Sequence, residues 1–524
     1  MAKYLFFRVL RGIGSVIVVT AVVMALVYAT LDRNLIFADD PVFSHQKSNA
    51  KEVYKMQQWE NYGYVDYVSY GDYLAELLRQ REISQSVYDQ AVLFGDTPAG
   101  DGSVAAQYVS SFRTYYEEQG YTVTRLAAKY RGGTNKYQEG GQPRLFASRD
   151  VPLMRRLWNY LTGLVALDTP NAVADYAGQR GLRFTWYDPV YGGDRFSPAI
   201  LGSGTYHKYL LYFDGKFPYL HQNFLTLRLG RSFSINKGVD VWQTMTQSQG
   251  GREYASVTYP TGLVAESADD LHSAVYVAGS WENGDAFVRT HFTDDYTGVT
   301  TRKTGLSKLG YSFTIGLLSV VLSYLLAIPG GMWMARHRNR LADRLGTAYI
   351  VFIMAVPSLA YIFLFKAIGG GLGLPTTFDM ENPGALMYVL PVVSLALPAA
   401  ANLMKWMRRY LIDQAGADYV KFARAGGMTE GEIFRSHILK NALIPVVHGI
   451  PAAVLGAMVG AIITERVYVV PGAGNLLTGA INAYDNGVIV GLALFYAVLS
   501  VASVIFGDVL MGLVDPRISF GRRR

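Results

Sequence analysis

The 524-residue sequence contains no cysteine. The absence of cysteine excludes a disulfide framework, thiolate catalysis, iron–sulfur clusters and cysteine-ligated zinc. Charged residues are also scarce, at 17% of the chain against roughly 25% of an ordinary soluble protein. The shortage is concentrated in long stretches without any charge, so a fully soluble enzyme is not expected.

Six of these charge-free stretches are long enough to cross a bilayer, which takes about 20 residues of helix. They cover 12–31, 309–335, 345–365, 384–404, 442–464 and 487–507. The first follows three basic residues, as in a signal peptide, and Val27-Tyr28-Ala29 resembles a cleavage site. However, the stretch is longer than the apolar region of a signal peptide, which has about 7–15 residues. We therefore predict an uncleaved first span in a polytopic α-helical membrane protein.

Lysine and arginine are distributed unevenly among the segments that join the six stretches. Eighteen of them lie in four segments, whereas two short loops hold only Lys366 and Arg466. The four segments are 1–11, 336–344, 405–441 and 508–524, and the loops are 366–383 and 465–486. Because positive charge accumulates on the cytoplasmic side, we predict a plasma-membrane protein with both termini cytoplasmic. The net charge of +7 is then an insertion signal, and nucleic-acid binding is not indicated.

Residues 32–308, between the first two spans, are predicted to form a large extracytoplasmic domain. The segment is long enough to bury a core of its own. Ser103 is placed to cap a helix that runs to Glu118, with Gly120 as its stop. Two further amphipathic stretches lie near 72–93 and 151–167.

Strand patterns in the same segment make the predicted domain mixed α/β. The runs 273–281 and 286–292 look like strands joined at Asn283-Gly284, a strong hairpin signal. Gly/Asn-rich stretches at 131–142 and 247–252 look like loops. The segment also holds 25 of the 37 tyrosines, which suits either ligand recognition or a tyrosine-rich core and surface.

Motifs for enzymatic chemistry are missing from the sequence. The glycine-rich run 369–373 lacks the Lys and Ser/Thr of a phosphate-binding loop. The sequence has no His-Glu-x-x-His pair, no nucleophile elbow and no paired carboxylates within the spans. Only His448 of the eight histidines falls in a span, where we expect a helix-packing hydrogen bond in preference to a proton relay. Intramembrane ionisable residues usually mark ion-coupled transport or membrane catalysis. Because the predicted spans lack them apart from His448, neither function is indicated.

The segment 405–445 is far longer than a simple connection between helices, which takes about 2–8 residues. Its pattern predicts an amphipathic helix over 408–425, ended by Gly426-Gly427. A second helix would begin at Thr429, with Glu432 at the capping-box position. Ala423 and Gly427 are four residues apart, so a helix would place them on one face as a small, shallow spot for a partner. The residues alone leave open a solvated connector that lies on the membrane.

This segment resembles the cytoplasmic "EAA" loop of ATP-binding-cassette (ABC) importer permeases, in the oligopeptide/dipeptide permease family. The resemblance rests on Lys421-Phe422-Ala423, on Gly427, and on Leu443-Ile444-Pro445. The glutamate that names the motif is replaced by Lys421, a departure similar to what the peptide branch shows.

Two other stretches resemble the same family. Residues 465–477, with Pro471, Gly472 and Gly474, are similar to its outer segment before the last span. Residues 227–233 resemble, more weakly, its short motif before the second span. The resemblance covers about 1–35 and 305–520 with patches near 220–242, and the enlarged segment between looks like the B-type permease of streptococcal-type Gram-positive oligopeptide importers.

The resemblance implies a type I ABC importer permease with six transmembrane helices that forms half of a translocation pathway for oligopeptides. The implied partners are a second, related permease, two cytoplasmic ATPases and a lipid-anchored extracytoplasmic peptide-binding protein. ATP and Mg²⁺ would bind to the ATPases, and this chain would hold no cofactor, metal or catalytic residue. The ATPase-coupling residues would be Asp418, Tyr419, Ala423, Arg424 and Gly427. Pro471, Gly472 and Gly474 would lie near the pathway.

The expected organisation has four parts. They are an N-terminus with the first span (1–31), the extracytoplasmic domain (32–308), a five-span core (309–507) with its coupling loop (405–441), and a cytoplasmic tail (508–524). We expect the extracytoplasmic domain to dock the peptide-binding protein and cover the mouth of the pathway.

Other functions remain open. One is a permease for another cargo, such as a metal–chelate complex, and another is a membrane-anchored receptor that acts through its outer domain. A membrane-embedded enzyme is the weakest alternative, because the spans lack paired ionisable residues.

Overall fold

The computed structural model describes the chain in separate stretches. They are 2–95, 102–167, 172–173, 180–187, 196–207, 209–213, 220–222, 225–234, 236–247, 249, 252–258, 264–268, 275–276, 296–297, 302–303, 306–380 and 384–514. Within them, the strands lie between residues 65 and 303, and the long helices precede and follow that segment.

The first helix, Ala2–Thr30 (α1), leads through a 3-10 turn at Arg33–Phe37 into helices and strands that alternate. The helices up to residue 307 are Pro41–His45 (α2), Ser48–Asn61 (α3), Tyr70–Arg79 (α4), Gln85–Gly95 (α5), Val104–Glu118 (α6), Leu153–Thr162 (α7) and Val241–Thr246 (α8). The strands are Val65–Ser69 (β1), Thr122–Leu126 (β2), Arg144–Asp150 (β3), Val165–Leu167 (β4), Gly181–Tyr187 (β5), Phe196–Ser203 (β6), Tyr209–Phe213 (β7), Leu220–Gln222 (β8), Leu225–Leu227 (β9), Arg252–Thr258 (β10), Val264–Ala268 (β11), Val275–Tyr276 (β12), Tyr296–Thr297 (β13) and Arg302–Lys303 (β14).

From residue 308 onward the described chain is helical. The helices are Lys308–Arg336 (α9), Leu341–Ala355 (α10), Ser358–Gly371 (α11), Val389–Ala415 (α12), Asp418–Ala425 (α13), Glu430–Ile433 (α14), Lys440–His448 (α15), Ile450–Tyr468 (α16), Ala473–Asn482 (α17) and Asn486–Val514 (α18). A 3-10 turn at Ala385–Tyr388 precedes α12, and a π-helical segment at Phe434–Leu439 joins α14 to α15.

Five helices in the described part of the chain are long and apolar enough to cross a membrane. They are α1, α9, α12 with its preceding 3-10 turn, α16 and α18. Their bounds confirm helices at the predicted spans 12–31, 309–335, 384–404 and 487–507. The predicted fifth span, 442–464, is divided at Gly449, where α15 ends and α16 begins.

The predicted third span, 345–365, is wrong as a single helix. The chain breaks between α10 and α11, which meet at an angle of 112° and form either a broken span or a re-entrant loop. Pro357 lacks an amide hydrogen, and proline favours an extended residue before it. Val356 is indeed extended, with φ −87° and ψ 131°.

The helix predicted over 408–425 is also wrong as one element. α12 ends at Ala415, and Ala417 is extended, with φ −71° and ψ 150°, before α13 begins at Asp418. The predicted stop and second helix are confirmed, since α13 ends at Ala425 and Thr429 caps α14.

The helix α9 lies at the centre of the bundle. It packs along α12 and crosses α16, α10 and α17. Three of its side chains, Tyr311, Ile315 and Ala327, are fully buried there. The last helix, α18, packs on α1, α15 and α16, so the two ends of the chain lie side by side.

The 32–307 segment contains several antiparallel sheets. β1, β3 and β2 pair in that order, and α4 and α6 cover them around the buried Leu74, Phe112 and Ala147. A second sheet has the order β5-β6-β7-β8, and β4 pairs with β9. The described residues are thus mixed α/β, as predicted.

The helix predicted from Ser103 is confirmed as α6. The Ser103 hydroxyl oxygen accepts a hydrogen bond from the Ala106 amide at 3.1 Å, and Gly120 follows with φ 78°. The amphipathic stretch near 72–93 forms two helices, α4 and α5, because Arg81 turns the chain with φ 62°. Of the stretch near 151–167, only Leu153–Thr162 is helical, and β4 follows.

The predicted hairpin can be followed only in part. Asn283-Gly284 and the run 286–292 lie outside the described residues. Of the run 273–281 only β12 is described, and it pairs with β13 at Tyr296–Thr297. Residues 131–142 contain no helix or strand, as predicted. The predicted loop 247–252 is described only at 247, 249 and 252, and Arg252 begins β10.

The bundle has two distinct ends. At one end, which we call the loop end, Arg8 pairs with Asp508 at 3.0 Å and Arg408 of α12 pairs with Asp343 of α10. At the other, the domain end, Asn486 bonds Tyr64 at 2.6 Å and Ser232 bonds Asp485 at 2.7 Å. The 405–441 loop and the start of α1 therefore lie opposite the 32–307 segment.

Candidate functional site

A cavity of about 390 Å³ lies between α9, α12, α15 and α16. α9 contributes Ser319, Ser323 and Tyr324 to its lining, and α12 contributes Asn402 and Trp406. The remaining lining residues are mostly apolar or small: Val320, Leu395, Ala399, Leu403, Tyr410, Pro445, Val446, Gly449, Ala453, Gly456 and Ala457.

The lining of this cavity carries no acidic, basic or histidine side chain. Three of its hydroxyls donate to backbone carbonyls: Ser319 to Ile315 at 2.6 Å, Ser323 to Val320 at 2.8 Å and Tyr324 to Val446 at 3.3 Å. Asn402 is exposed and offers both donor and acceptor groups. Such a surface can bond neutral amide groups but cannot select strongly for a charge.

His448 lies near this cavity but has a packing role. Its Nδ1 donates a hydrogen bond to the carbonyl oxygen of Gly507 at 2.9 Å. Gly507 has little room for a side chain, because an added Cβ would lie 3.1 Å from the His448 oxygen. The expected helix-packing hydrogen bond is therefore confirmed.

The 405–441 loop folds onto the loop end around a small core. Its fully or nearly fully buried members include Met407, Leu411, Val420 and Ile433. Ala423 is half-buried against this core.

Gly427 lies beyond the end of α13 in the left-handed region, with φ 84°. The prediction that Ala423 and Gly427 share one helical face is therefore wrong. An added Cβ on Gly427 would meet nothing within 4 Å, so the glycine is required by the backbone turn and not by crowding. The Gly427 amide donates to Arg424 O at 3.1 Å, and the next amide donates to Ala423 O at 3.2 Å, which completes the helix stop.

The exposed surface of α13 is formed by other residues. Phe422, which we did not predict as a site residue, has 77% of its surface exposed. Asp418 pairs with Lys421 at 2.8 Å beside it. Tyr419 turns inward, where its hydroxyl donates to Gln414 Oε1 at 2.5 Å.

Arg424 fixes the angle between α13 and α14. Its guanidinium binds both carboxylate oxygens of Glu430, at 2.6 and 3.1 Å. This hydrogen bond holds the pKa of Glu430 below its usual value, so the pair is ionised at neutral pH. Thr429 and Glu432 complete the predicted capping box, and the loop presents one defined surface.

A partly buried ion pair joins the loop end of α12 to α10. Arg408 donates to both oxygens of Asp343, at 2.5 and 2.8 Å, and the Asp343 side chain is nearly fully buried. Asn339 adds a backbone amide at 2.8 Å. Sequence reasoning missed this pair because its members are 65 residues apart.

At the domain end, the predicted outer segment surrounds a buried carboxylate. Glu465, at the end of α16, is fully buried. Its Oε1 accepts from the Ser312 hydroxyl at 2.5 Å, and its Oε2 accepts from the Asn475 amide at 3.0 Å. Gly472 caps α17 next to it, so the carboxylate faces the positive end of that helix.

The two glycines of this segment leave room for the carboxylate. A Cβ on Gly472 would lie 2.3 Å from the Glu465 carboxyl group, and one on Gly474 would lie 2.7 Å from the Ile462 backbone. A side chain at Gly472 would displace the Glu465 carboxylate, and one at Gly474 would require a shift of the helix backbone. Pro471 lies immediately before this cap, and the segment holds α16, α17 and α9 together.

Asp485, just before α18, is a second fully buried carboxylate. Its Oδ2 accepts from the Ser232 and Ser234 hydroxyls at 2.7 and 2.9 Å, and from the Phe233 and Ser234 amides at 3.1 Å. Its Oδ1 caps α18 through the Val488 amide at 3.2 Å. The segment 227–233, singled out in the sequence, is thus fastened to the last span.

Both carboxylates had a signal in the sequence that we did not use. Glu465 immediately follows the charge-free stretch 442–464, and Asp485 lies two residues before the stretch 487–507. An acidic residue just before an apolar run is a typical helix N-cap, which is what Asp485 is for α18. Their hydroxyl partners Ser312 and Ser232 lie more than 150 residues away, and no local pattern indicates those contacts.

A family model described as "binding-protein-dependent transport system inner membrane component" matches residues 327–520. The matched region begins within α9 and extends past α18. It includes the 405–441 loop and the outer segment with Pro471.

Curated relatives extend the similarity over the whole chain. The chain is 34% identical over 524 residues to the oligopeptide transport system permease protein AmiC of Streptococcus pneumoniae, covering 99% of this chain and 98% of that protein. It is 28% identical over 213 residues to the dipeptide transport system permease protein DppB of Lactococcus lactis, covering 40% of this chain and 69% of that one. A solved methionine ABC transporter in inward-facing conformations covers 39% of this chain and 93% of its own at 16% identity, with a TM-score of only 0.33.

Proposed function

Because this chain belongs to the oligopeptide ABC permeases of the binding-protein-dependent transport system family, we propose which of its described surfaces form the peptide pathway and which contact an ATPase. The chain is the membrane-spanning permease subunit of a peptide importer. The relatives' names do not support a metal–chelate cargo or a receptor role. We propose that the cavity between α9, α12, α15 and α16 is this subunit's part of the peptide pathway, and that the 405–441 loop moves it.

One observation carries this proposal: the loop is connected at both of its ends to walls of the cavity. α12 lines the cavity with Asn402, Trp406 and Tyr410 and then runs directly into the loop. The chain leaves the loop through α15, which lines the cavity with Pro445 and Val446. A displacement of the loop therefore moves two walls of the cavity together.

The hinges that we propose for such a movement coincide with breaks in the helices. α12 ends at the Gly416–Ala417 break, and α15 is separated from α16 at Gly449. The π-helical turn at Phe434–Leu439 is a further irregularity of the kind that often occurs at functional sites. Rigid segments joined at these points can switch between two packed arrangements.

The neutral lining supports a peptide cargo of varied sequence. Main-chain amides are common to all peptides, and the exposed Asn402 can bond them. A fixed charge in the cavity would favour some side chains and repel others. Small residues on α16, Ala453, Gly456 and Ala457, leave room for side chains of different size.

The energy for the movement comes, in this proposal, from partner subunits. Two cytoplasmic ATPases bind ATP and Mg²⁺, and one of them contacts the 405–441 loop at the surface around Phe422. Asp418, Arg424 and Gly427 flank or shape that surface, and Ala423 supports it from below. A second permease completes the pathway, a lipid-anchored protein delivers the peptide, and this chain binds no cofactor.

The experiment that tests the assembly is purification of the tagged permease in mild detergent, followed by identification of its partners. We expect two ATPases, a second permease and a peptide-binding protein, with ATP hydrolysis stimulated by peptide. A permease recovered without ATPases, or a complex whose hydrolysis responds to another solute and not to peptide, would contradict the proposal.

We further propose six spans, with the bent α10–α11 pair as the third, and the 32–307 segment outside the cell. A cysteine at Ser110, an exposed position on α6, is expected to react with an impermeant thiol reagent in intact cells. Ser110 is preferable to Ser103, whose hydroxyl caps the helix. The chain has no native cysteine, so labelling reports a single site.

The matched control is a cysteine at Arg338, which is exposed at the loop end and should react only after permeabilisation. The reverse pattern, with Ser110→Cys protected and Arg338→Cys labelled in intact cells, would invert the proposed orientation.

A further inference from the structure

A second cavity, of about 510 Å³, lies where the 32–307 segment meets the domain ends of α1 and α18. Met24 and Tyr28 of α1 and Val490 of α18 form part of its lining. The charge-free stretches 12–31 and 487–507 both end at this level. The cavity therefore straddles the boundary between apolar membrane helix and polar segment.

This cavity is electropositive. Three arginines line it, Arg156 from α7 and Arg228 and Arg231 from the segment after β9, against the single carboxylate of Asp240. That carboxylate already accepts two backbone hydrogen bonds, at 2.8 and 3.1 Å. Arg228 and Arg231 are exposed, which leaves their guanidinium groups available to an anion.

Two buried polar atoms beside the cavity lack partners among the described residues. Asn486 is 3% exposed, and its Oδ1 accepts no hydrogen bond, although its Nδ2 donates to Tyr64 at 2.6 Å. The Nε of Arg156 is also unpaired, although its Nη2 donates to Tyr64 O at 3.0 Å. Buried polar groups are nearly always paired. A donor and an acceptor left unpaired in two residues that line one cavity therefore indicate a ligand that carries both kinds of group.

The opposite face of α7 is apolar and is not covered by any described part of the chain. Met154 is 73% exposed and Trp158 is 69% exposed, and the adjoining Val165 and Leu167 of β4 are more than half exposed. α7 packs against α1 at the end of its charge-free stretch. A short amphipathic helix with an exposed tryptophan at this level has the features of a segment that lies in the membrane interface.

We propose that this cavity binds the phosphate-bearing headgroup of an anionic phospholipid, with α7 lying in the membrane interface. The three arginines hold the phosphate through charge-assisted hydrogen bonds. A headgroup hydroxyl donates to Asn486 Oδ1, and the acyl chains extend from the mouth of the cavity along the apolar outer surface of the two spans. The site is separate from the peptide cavity and does not depend on the transport cycle proposed above.

The test is titration of the purified permease complex in detergent with fluorescently labelled phosphatidylglycerol, followed by anisotropy. We expect saturable binding at least about tenfold tighter than that of labelled phosphatidylcholine. The phosphate is common to both lipids, but the choline cation is repelled by the arginines and has no hydroxyl to donate to Asn486. The double variant Arg228→Gln, Arg231→Gln is expected to weaken binding about tenfold or more. Both side chains are exposed, so this variant should fold even if Arg156→Gln does not.

The matched control is Arg155→Gln, on the same helix, whose guanidinium pairs with Asp66 at 3.0 Å and does not line the cavity. It should bind labelled phosphatidylglycerol as the unaltered protein does. Equal affinity for the two lipids, or an unaffected double variant, would overturn the proposal. So would competition by free glycerol phosphate at the lipid's own affinity, which would identify a soluble phosphate site, or competition by peptide, which would identify a peptide site.

Discussion

Replacement of Phe422 by alanine is expected to lower peptide-stimulated ATP hydrolysis and peptide uptake at least about tenfold, with a normally folded permease. Because this side chain is 77% exposed, its removal deletes little within the chain. Truncation of an aromatic anchor in an interface costs about 2 kcal/mol or more, which is roughly thirtyfold in affinity. The measurements are recovery of the ATPases with the tagged permease and hydrolysis in proteoliposomes.

The matched control for this variant is Leu372→Ala. Leu372 is equally exposed, at 76%, but it follows α11 at the domain end, away from the loop. It should leave ATPase recovery unchanged. Full recovery with Phe422→Ala, or an equal loss with Leu372→Ala, would show that Phe422 is not the coupling contact.

The membrane helices could be predicted because the bilayer imposes a minimum length of charge-free sequence. Their breaks were harder to predict, because they depend on packing. Pro357 indicates that a helix can end at that position, but the angle of 112° is determined by the helices that α10 and α11 contact. The break between α12 and α13 at Gly416–Ala417 was not predicted, because the amphipathic pattern continues across it.

In the 405–441 loop, too, some features depend on neighbouring residues and others on residues distant in sequence. The capping box of Thr429 and Glu432 and the left-handed Gly427 involve residues within four positions, so the sequence indicated them correctly. The inward position of Ala423 and the exposure of Phe422 depend on a core that includes Met407 and Ile433. A single sequence does not show which face of α13 that core covers.

The buried carboxylates mark the limit of sequence reasoning here. Both lie outside the charge-free stretches, where an acidic residue looks like part of a solvated loop. Glu465 meets Ser312, and Asp485 meets residues 232–234, across more than 150 positions. The Asp485 contacts form only when the 32–307 segment and the helices pack together, and they fasten the segment to the bundle. The Glu465–Ser312 contact instead joins α16 to α9 within the bundle.

Asp485→Ala is expected to detach the 227–234 segment from the last span and to cost about 3 kcal/mol or more of stability. The buried Ser232 hydroxyl and Phe233 amide would lose their acceptor, and each buried unpaired donor costs about 1–3 kcal/mol. Loss of the α18 cap would add about 1 kcal/mol.

Ser232→Ala removes one of the donors and leaves the carboxylate paired, so a smaller effect is expected. Asp413→Ala removes an exposed carboxylate paired only with Arg409 at 3.8 Å and should be near neutral. The measurements are the melting temperature in detergent and the rate of proteolytic cleavage within 32–307, beside peptide uptake. If Asp485→Ala melts and is cleaved like the Asp413 variant, the carboxylate does not anchor the segment. If it is cleaved faster and uptake falls in step, the attachment of the segment to α18 is itself required for transport.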